Sequence, residues 1–108
     1  MGSLIEWTPE GHENRGRLFR MVCSCGCEYL HHTRVDVFER SREDSKDGAH
    51  VSVEGYARVR INDDMAGNPS ARRDGIVIDL WCEQCQQKTA IQIAQHKGET
   101  LLRIIPPK

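Results

Sequence analysis

Gly75-Ile76-Val77-Ile78-Asp79-Leu80-Trp81-Cys82-Glu83-Gln84-Cys85 reads as a β-strand that runs directly into a C-x-x-C turn. Ile76, Ile78 and Leu80 share one parity, and Val77, Asp79 and Trp81 the other, which is the two-residue period of a strand. A second cluster, Cys23-Ser24-Cys25-Gly26-Cys27, lies far upstream and follows another short apolar run, Arg17-Leu18-Phe19-Arg20-Met21-Val22. Two cysteine turns at strand ends, distant in the chain, require the strands between them to fold back and bring the turns together.

The intervening sequence has the patterns for this. Over Glu28 to Arg40, Thr33, Val35 and Val37 alternate with Arg34 and Asp36, and this predicts a half-buried strand. Ser41 to Ala49 is charged and aperiodic and reads as a solvated loop. Val51, Val53, Val59 and Ile61 keep one parity across Gly55, so His50 to Ile61 is one strand broken at the glycine or two short strands. Asn62 to Gly75 is rich in turn formers, with Asn68-Pro69 the strongest punctuation. Ile91 and Ile93, the His96-Lys97-Gly98-Glu99 turn and the β-rich Thr100 to Ile105 predict a hairpin. No long amphipathic helix and no internal repeat is visible.

The bulk properties bound the rest. A chain of 108 residues holds one domain. With 38% hydrophobic and 6% aromatic residues its core is modest, and a cross-link would help it. A net charge of −1 gives no global attraction to nucleic acid or to an anionic membrane. No apolar run approaches the ~20 residues of a membrane span, and the start has neither the basic nor the long apolar region of a signal peptide. A cytoplasmic location is therefore expected, where thiols stay reduced. Five cysteines, an odd count, fit four metal ligands and a spare thiol better than a closed disulfide set.

Structural zinc is commonly held by four cysteine thiolates presented as two short-spaced pairs. Cys82 and Cys85 have that spacing. Upstream, Gly26 favours Cys23 with Cys25, because the residue after the second ligand of such a turn often needs positive φ, which glycine adopts at little cost. Cys23 with Cys27 is the alternative pairing. His31 and His32 are further candidate ligands, of which a strand can aim only one at a given ion. Structural Zn²⁺ is thus the expected cofactor. Two cysteine pairs leave no open coordination position for hydrolysis, and no phosphate-cradling glycine loop or nucleophile triad accompanies them.

Glu28-Tyr29-Leu30-His31-His32, Asn68 to Gly75, Trp81-Cys82-Glu83-Gln84-Cys85 and Gln95-His96-Lys97-Gly98 resemble small zinc-ribbon-like proteins of bacteria and their phages. The resemblance spans about Met21 to Arg103. Such proteins usually carry C-x-x-C-G at the first turn, and in that register the first ligand position here is Val22. The resemblance implies a zinc-ribbon fold and no particular substrate.

These readings combine into a mostly β protein, a zinc-ribbon-like domain at 17–105 enlarged by a small antiparallel sheet, preceded by an irregular arm at 1–16. The expected role is a non-catalytic binding module whose partner is a protein or nucleic acid, with no membrane and no small-molecule substrate. Arg72 and Arg73 are candidates to grip phosphate or carboxylate, with ion pairing to Asp63, Asp64 or Asp74 as the alternative. A thiol-redox protein using Cys82 and Cys85 is the competing reading. It leans on a superficial likeness of the strand and W-C-x-x-C turn to thioredoxin, where a helix N-terminus stabilises the first thiolate.

Overall fold

The computed structural model describes residues 5–8 and 18–106. Eight strands follow in order: β1 (Ile5–Thr8), β2 (Leu18–Met21), β3 (Leu30–Arg40), β4 (Gly48–Val53), β5 (Val59–Asn62), β6 (Gly75–Cys82), β7 (Lys88–His96) and β8 (Glu99–Ile105). There is no helix among the described residues. β1 and β2 form an antiparallel pair, and the other six form one antiparallel sheet in the order β5-β4-β3-β6-β7-β8. Ile5–Thr8 therefore departs from the irregular arm expected at 1–16, because it finds a hydrogen-bonding partner in the strand that leads to the first cysteines. Residues 1–4 and 9–16 of that arm lie outside the described residues.

His50 to Ile61 resolves into two strands, β4 and β5, joined where Glu54 and Arg58 close a tight turn. β4 starts at Gly48, so Gly48 and Ala49, read as loop, belong to the sheet. β7 and β8 form the expected hairpin, with His96 opposite Glu99. β3 and β6, far apart in sequence, are central neighbours. They pair from Leu30 opposite Cys82 to Phe38 opposite Gly75, with a register shift between His32 and Arg34. This pairing sets both cysteine turns at the same end of the sheet.

The sheet's two faces are unlike each other. Residues directly opposite across antiparallel strands share a face. On one face the registers align Ile61, Val51, Val37, Ile76, Ile93 and Leu102 in a row, and Val59, Val53, Val35, Ile78, Ile91 and Ile104 in the next. On the other, Asp36, Phe38, His50 and Ser52 are buried. Along β3 the parity of Asp36 and Phe38 is the buried one: Phe38 is 2% exposed and Val37 39%. The reason is the loop at 63–74, which folds over the Phe38 face. A Cβ on Gly67 would lie 3.3 Å from the Phe38 ring, and one on Gly75 would sit 2.7 Å from the Pro69 ring and collide with the Asn68 side chain. Only glycine at 75 lets the loop pack this closely on β6.

Covering a face that carries Asp36 requires that its charge be met. Arg34 Nε donates to both Asp36 carboxylate oxygens, at 3.2 and 3.0 Å, and His50 Nε2 lies 2.7 Å from Oδ1. Phe38 stacks on the His50 ring with centroids 4.2 Å apart. Desolvation works against the Asp36 carboxylate, but the hydrogen bonds from Arg34 and His50 outweigh it and hold the carboxyl below its usual range.

The loops at 41–47 and 63–74 are secured by Arg40. Its Nε donates to the Arg73 carbonyl (2.9 Å), Nη1 to that of Ser45 (2.7 Å) and Nη2 to that of Ser70 (2.9 Å), while its backbone N–H donates to Asp74 Oδ1 (2.8 Å). Ser70, 4% exposed, donates its hydroxyl to the Gln95 carbonyl and ties the second loop to β7.

Replacing Asp36 by Asn should lower stability at neutral pH by about 3 kcal/mol, because removing one member of a buried pair leaves its partner uncompensated. The depressed Asp36 pKa makes this contribution present above the unfolded carboxylate value and lost as pH falls through the folded one. The gap between wild type and Asp36→Asn in urea unfolding should therefore close on acidification. Desolvation and the Asp36 charge raise Asp79, which acts in the opposite sense; Asp36→Asn removes the second cause and leaves the first.

Candidate metal centre

β2 ends at Met21, and the chain then turns through residues 22–29 before β3. Gly26 N–H donates to the Cys23 carbonyl at 2.8 Å, and Cys23 N–H to that of Cys27 at 2.9 Å. Gly26 has φ +98°, the left-handed conformation expected just after Cys25. The second turn repeats this scheme after β6. Gln86 N–H donates to the Cys82 carbonyl at 2.9 Å, and Cys82 N–H to that of Gln87 at 3.0 Å. Gln86, which follows Cys85, has φ +59°. The same backbone device thus serves both turns, with glycine marking only the first. A hydrogen bond from Glu83 N–H to the Tyr29 carbonyl, 3.1 Å, joins the turns directly.

This backbone brings Cys23, Cys25, Cys82 and Cys85 together, with all four sulfurs within 4.8 Å of one another. Cys23 Sγ lies 3.6 Å from Cys85 Sγ, and Cys25 Sγ 3.6 Å from Cys82 Sγ. These separations are far beyond the ~2.05 Å of a disulfide. They are close to the ~3.8 Å edge of a tetrahedron with metal–sulfur bonds of ~2.3 Å. Both of these pairs run between the turns, so an ion held here would cross-link β2–β3 to β6–β7. Cys82 is fully buried and Cys25 is exposed, so the cluster has one buried and one open side.

The electrostatics of the bare thiols show a conflict that a cation would remove. The Cys85 N–H, 3.5 Å from Cys82 Sγ, is the main influence holding the Cys82 thiol down to about 6. For Cys85 the Gln87 N–H favours the thiolate, but desolvation and the neighbouring thiols of Cys82, Cys23 and Cys25 push it up to about 12. Cys25 is also raised, by desolvation and by Cys23 and Cys82, against a lowering influence from the Cys27 N–H. Four sulfurs this close cannot all carry negative charge alone, whereas a divalent ion among them stabilises every thiolate. Four soft thiolates gathered this closely suit zinc or iron and not the hard cations that prefer oxygen.

The remaining candidate residues lie outside this group. Cys27 is buried, and its sulfur accepts the Tyr29 N–H at 3.4 Å. His31 and His32 are exposed on β3, with His31 Nε2 3.6 Å from Glu83 and its ring 6.0 Å from Trp81. Arg72 and Arg73 sit at the far end of the sheet and pair with acids of the 41–47 loop. Arg72 clasps Asp44 with Nε and Nη2, and Arg73 reaches Asp44 at 3.3 Å and Glu43 at 3.4 Å. The sequence pointed to Asp63, Asp64 and Asp74 instead, because those acids are near in the chain. Asp44 and Glu43 become near only once Arg40 has drawn the two loops together.

The chain after Cys85 enters β7, so the helix N-terminus that activates a thioredoxin thiolate is absent among the described residues. No helix among them is long and apolar enough to cross a membrane. No family model, curated protein or solved structure matches the chain.

Replacing Arg72 by Ala should leave the folding midpoint near that of wild type, since the Arg72–Asp44 pair is solvent-exposed and exposed pairs contribute little. A chemical denaturation curve in moderate salt checks this.

Proposed function

We propose that this chain is a zinc-stabilised, non-catalytic binding module of zinc-ribbon-like build, whose partner is a protein or nucleic acid. One observation carries the reading: two turns with matching hydrogen bonds bring four cysteine sulfurs within 4.8 Å of one another at one end of a β-sheet. Cys23, Cys25, Cys82 and Cys85 would hold the ion. Four cysteine ligands fill a tetrahedron and leave no position for a water or substrate, so the ion's contribution is cross-linking. Recognition then falls to the loops and faces that the cross-link holds in place. The resemblance to small zinc-ribbon-like proteins supports the same reading.

Zinc in this role is part of the folded state, and its removal should be felt throughout the sheet. Protein purified without chelator should contain one zinc per chain by elemental analysis. A strong chelator should lower Tm by about 20 °C or more, since each kcal/mol lost shifts Tm by roughly 4–8 °C in a chain this small. Cys82→Ser and Cys25→Ser should abolish stoichiometric zinc, whereas Cys27→Ser should keep it. A preparation that is metal-free, fully folded and indifferent to added zinc would overturn the reading, and thiol titration of Cys82 and Cys85 would then test the redox alternative. Retention of zinc by Cys25→Ser together with its loss from Cys27→Ser would move the upstream pair to Cys23 and Cys27.

A further inference from the structure

We infer that the aliphatic face of the six-stranded sheet is the contact surface of a homodimer in which two copies pack face to face. Its two register rows hold only Val, Ile and Leu, at every position on all six strands. Burial of this face is incomplete: Val37 and Val53 are 39% and 40% exposed, Leu102 59% and Ile61 75%. Together the two rows present on the order of 700 Å² of aliphatic surface per copy, above the roughly 300–600 Å² of the largest apolar patch on an ordinary monomer. A facing pair would bury about 1,400 Å², inside the ~1,200–2,000 Å² range of stable specific interfaces.

The chemistry of the face favours a second copy over other occupants. The two rows carry no charge and no side-chain hydrogen-bonding group, so they offer nothing to a phosphate backbone. For the same reason, apposing two identical faces incurs no like-charge repulsion. A twisted sheet also matches another sheet of the same twist: two such faces pack about 10 Å apart, with strands inclined by roughly 30° and side chains interdigitating. A second copy related by a two-fold axis covers both faces at once and leaves none over for further association. The covered rows then become the interior of a β-sandwich, while the loop at 63–74 already covers the opposite face of each sheet around Phe38. This inference stands apart from the zinc reading, because the face and the cysteine turns occupy different parts of the molecule.

Sedimentation equilibrium or light scattering on the full chain, as purified and across a concentration series, tests it. The expected mass is twice the 12.3 kDa of one chain. Val37→Glu combined with Leu102→Glu places like charges on both halves of the face and should give a monomer. Arg103→Glu, on the opposite face, should remain dimeric. Isotope-filtered NMR on a mixture of labelled and unlabelled wild-type chains should show contacts between Ile and Val methyls of different copies, and it decides the matter if the double variant fails to fold. A monomeric wild type overturns the inference, whether the face is then bare or covered by the chain's own first residues. So does a dimer that survives the double variant, or one without intermolecular methyl contacts.

Discussion

The pairing of β3 with β6 is the constraint on which the rest of this structure depends. It is the longest-range strand contact in the sheet's centre, and it closes a large loop of chain whose ordering is entropically costly. Backbone hydrogen bonds alone contribute modestly to such a closure. The cysteine turns sit at the end of this pair, where Leu30 faces Cys82. An ion bound by all four sulfurs would fasten the junction where the register is set, so metal binding and β3–β6 registration are one event in the proposed module.

The opposite end of the same pair is held by ordinary hydrogen bonds. There Arg40 donates to three backbone carbonyls from two loops, and Asp74 accepts the Arg40 N–H. Buried carbonyls must be paired, and a planar guanidinium with several fixed donors can satisfy three of them at once. This arrangement lets the loop at 63–74 lie on the sheet and bury Phe38, and it also places Arg72 and Arg73 beside Asp44. The arginines most visible in the sequence are therefore paired at the surface, and the one that organises the loops is the unremarked last residue of β3.

Much of this was legible in the sequence, and the limits have physical causes. Two-residue periodicity located the main strands, because alternation follows from strand geometry itself. The C-x-x-C spacing and Gly26 indicated four cysteines that the structure does bring together, since short-range turn geometry is written locally. The buried face of β3 was not legible, because a valine-rich parity signals an apolar face without saying what covers it. The loop that covers the other face instead is positioned by Gly75, Asn68 and Arg40, and each of these acts on residues distant in sequence. Gln86 was missed as the left-handed residue of the second turn because only glycine advertises that conformation by type.

A shortage of core connects the cysteine cluster to the open aliphatic face. Among the described residues only Cys23, Cys27, Phe38, Leu80 and Cys82 are buried hydrophobics, and of these Cys23 and Cys82 belong to the four-cysteine cluster, with Cys27 packed beside them. A single sheet exposes whatever its loops fail to cover, and among the described residues the loop at 63–74 lies on the Phe38 face alone. The polar face receives the loop because Asp36 and His50 must be enclosed together with their partners or left in water. The aliphatic face needs no such directional partners and can be buried against any apolar surface of similar twist. Zinc at the end of β3–β6 and a second sheet on the uncovered face would thus relieve the same deficit in different ways: one cross-links a junction with little core of its own, and the other supplies the core that the single chain lacks.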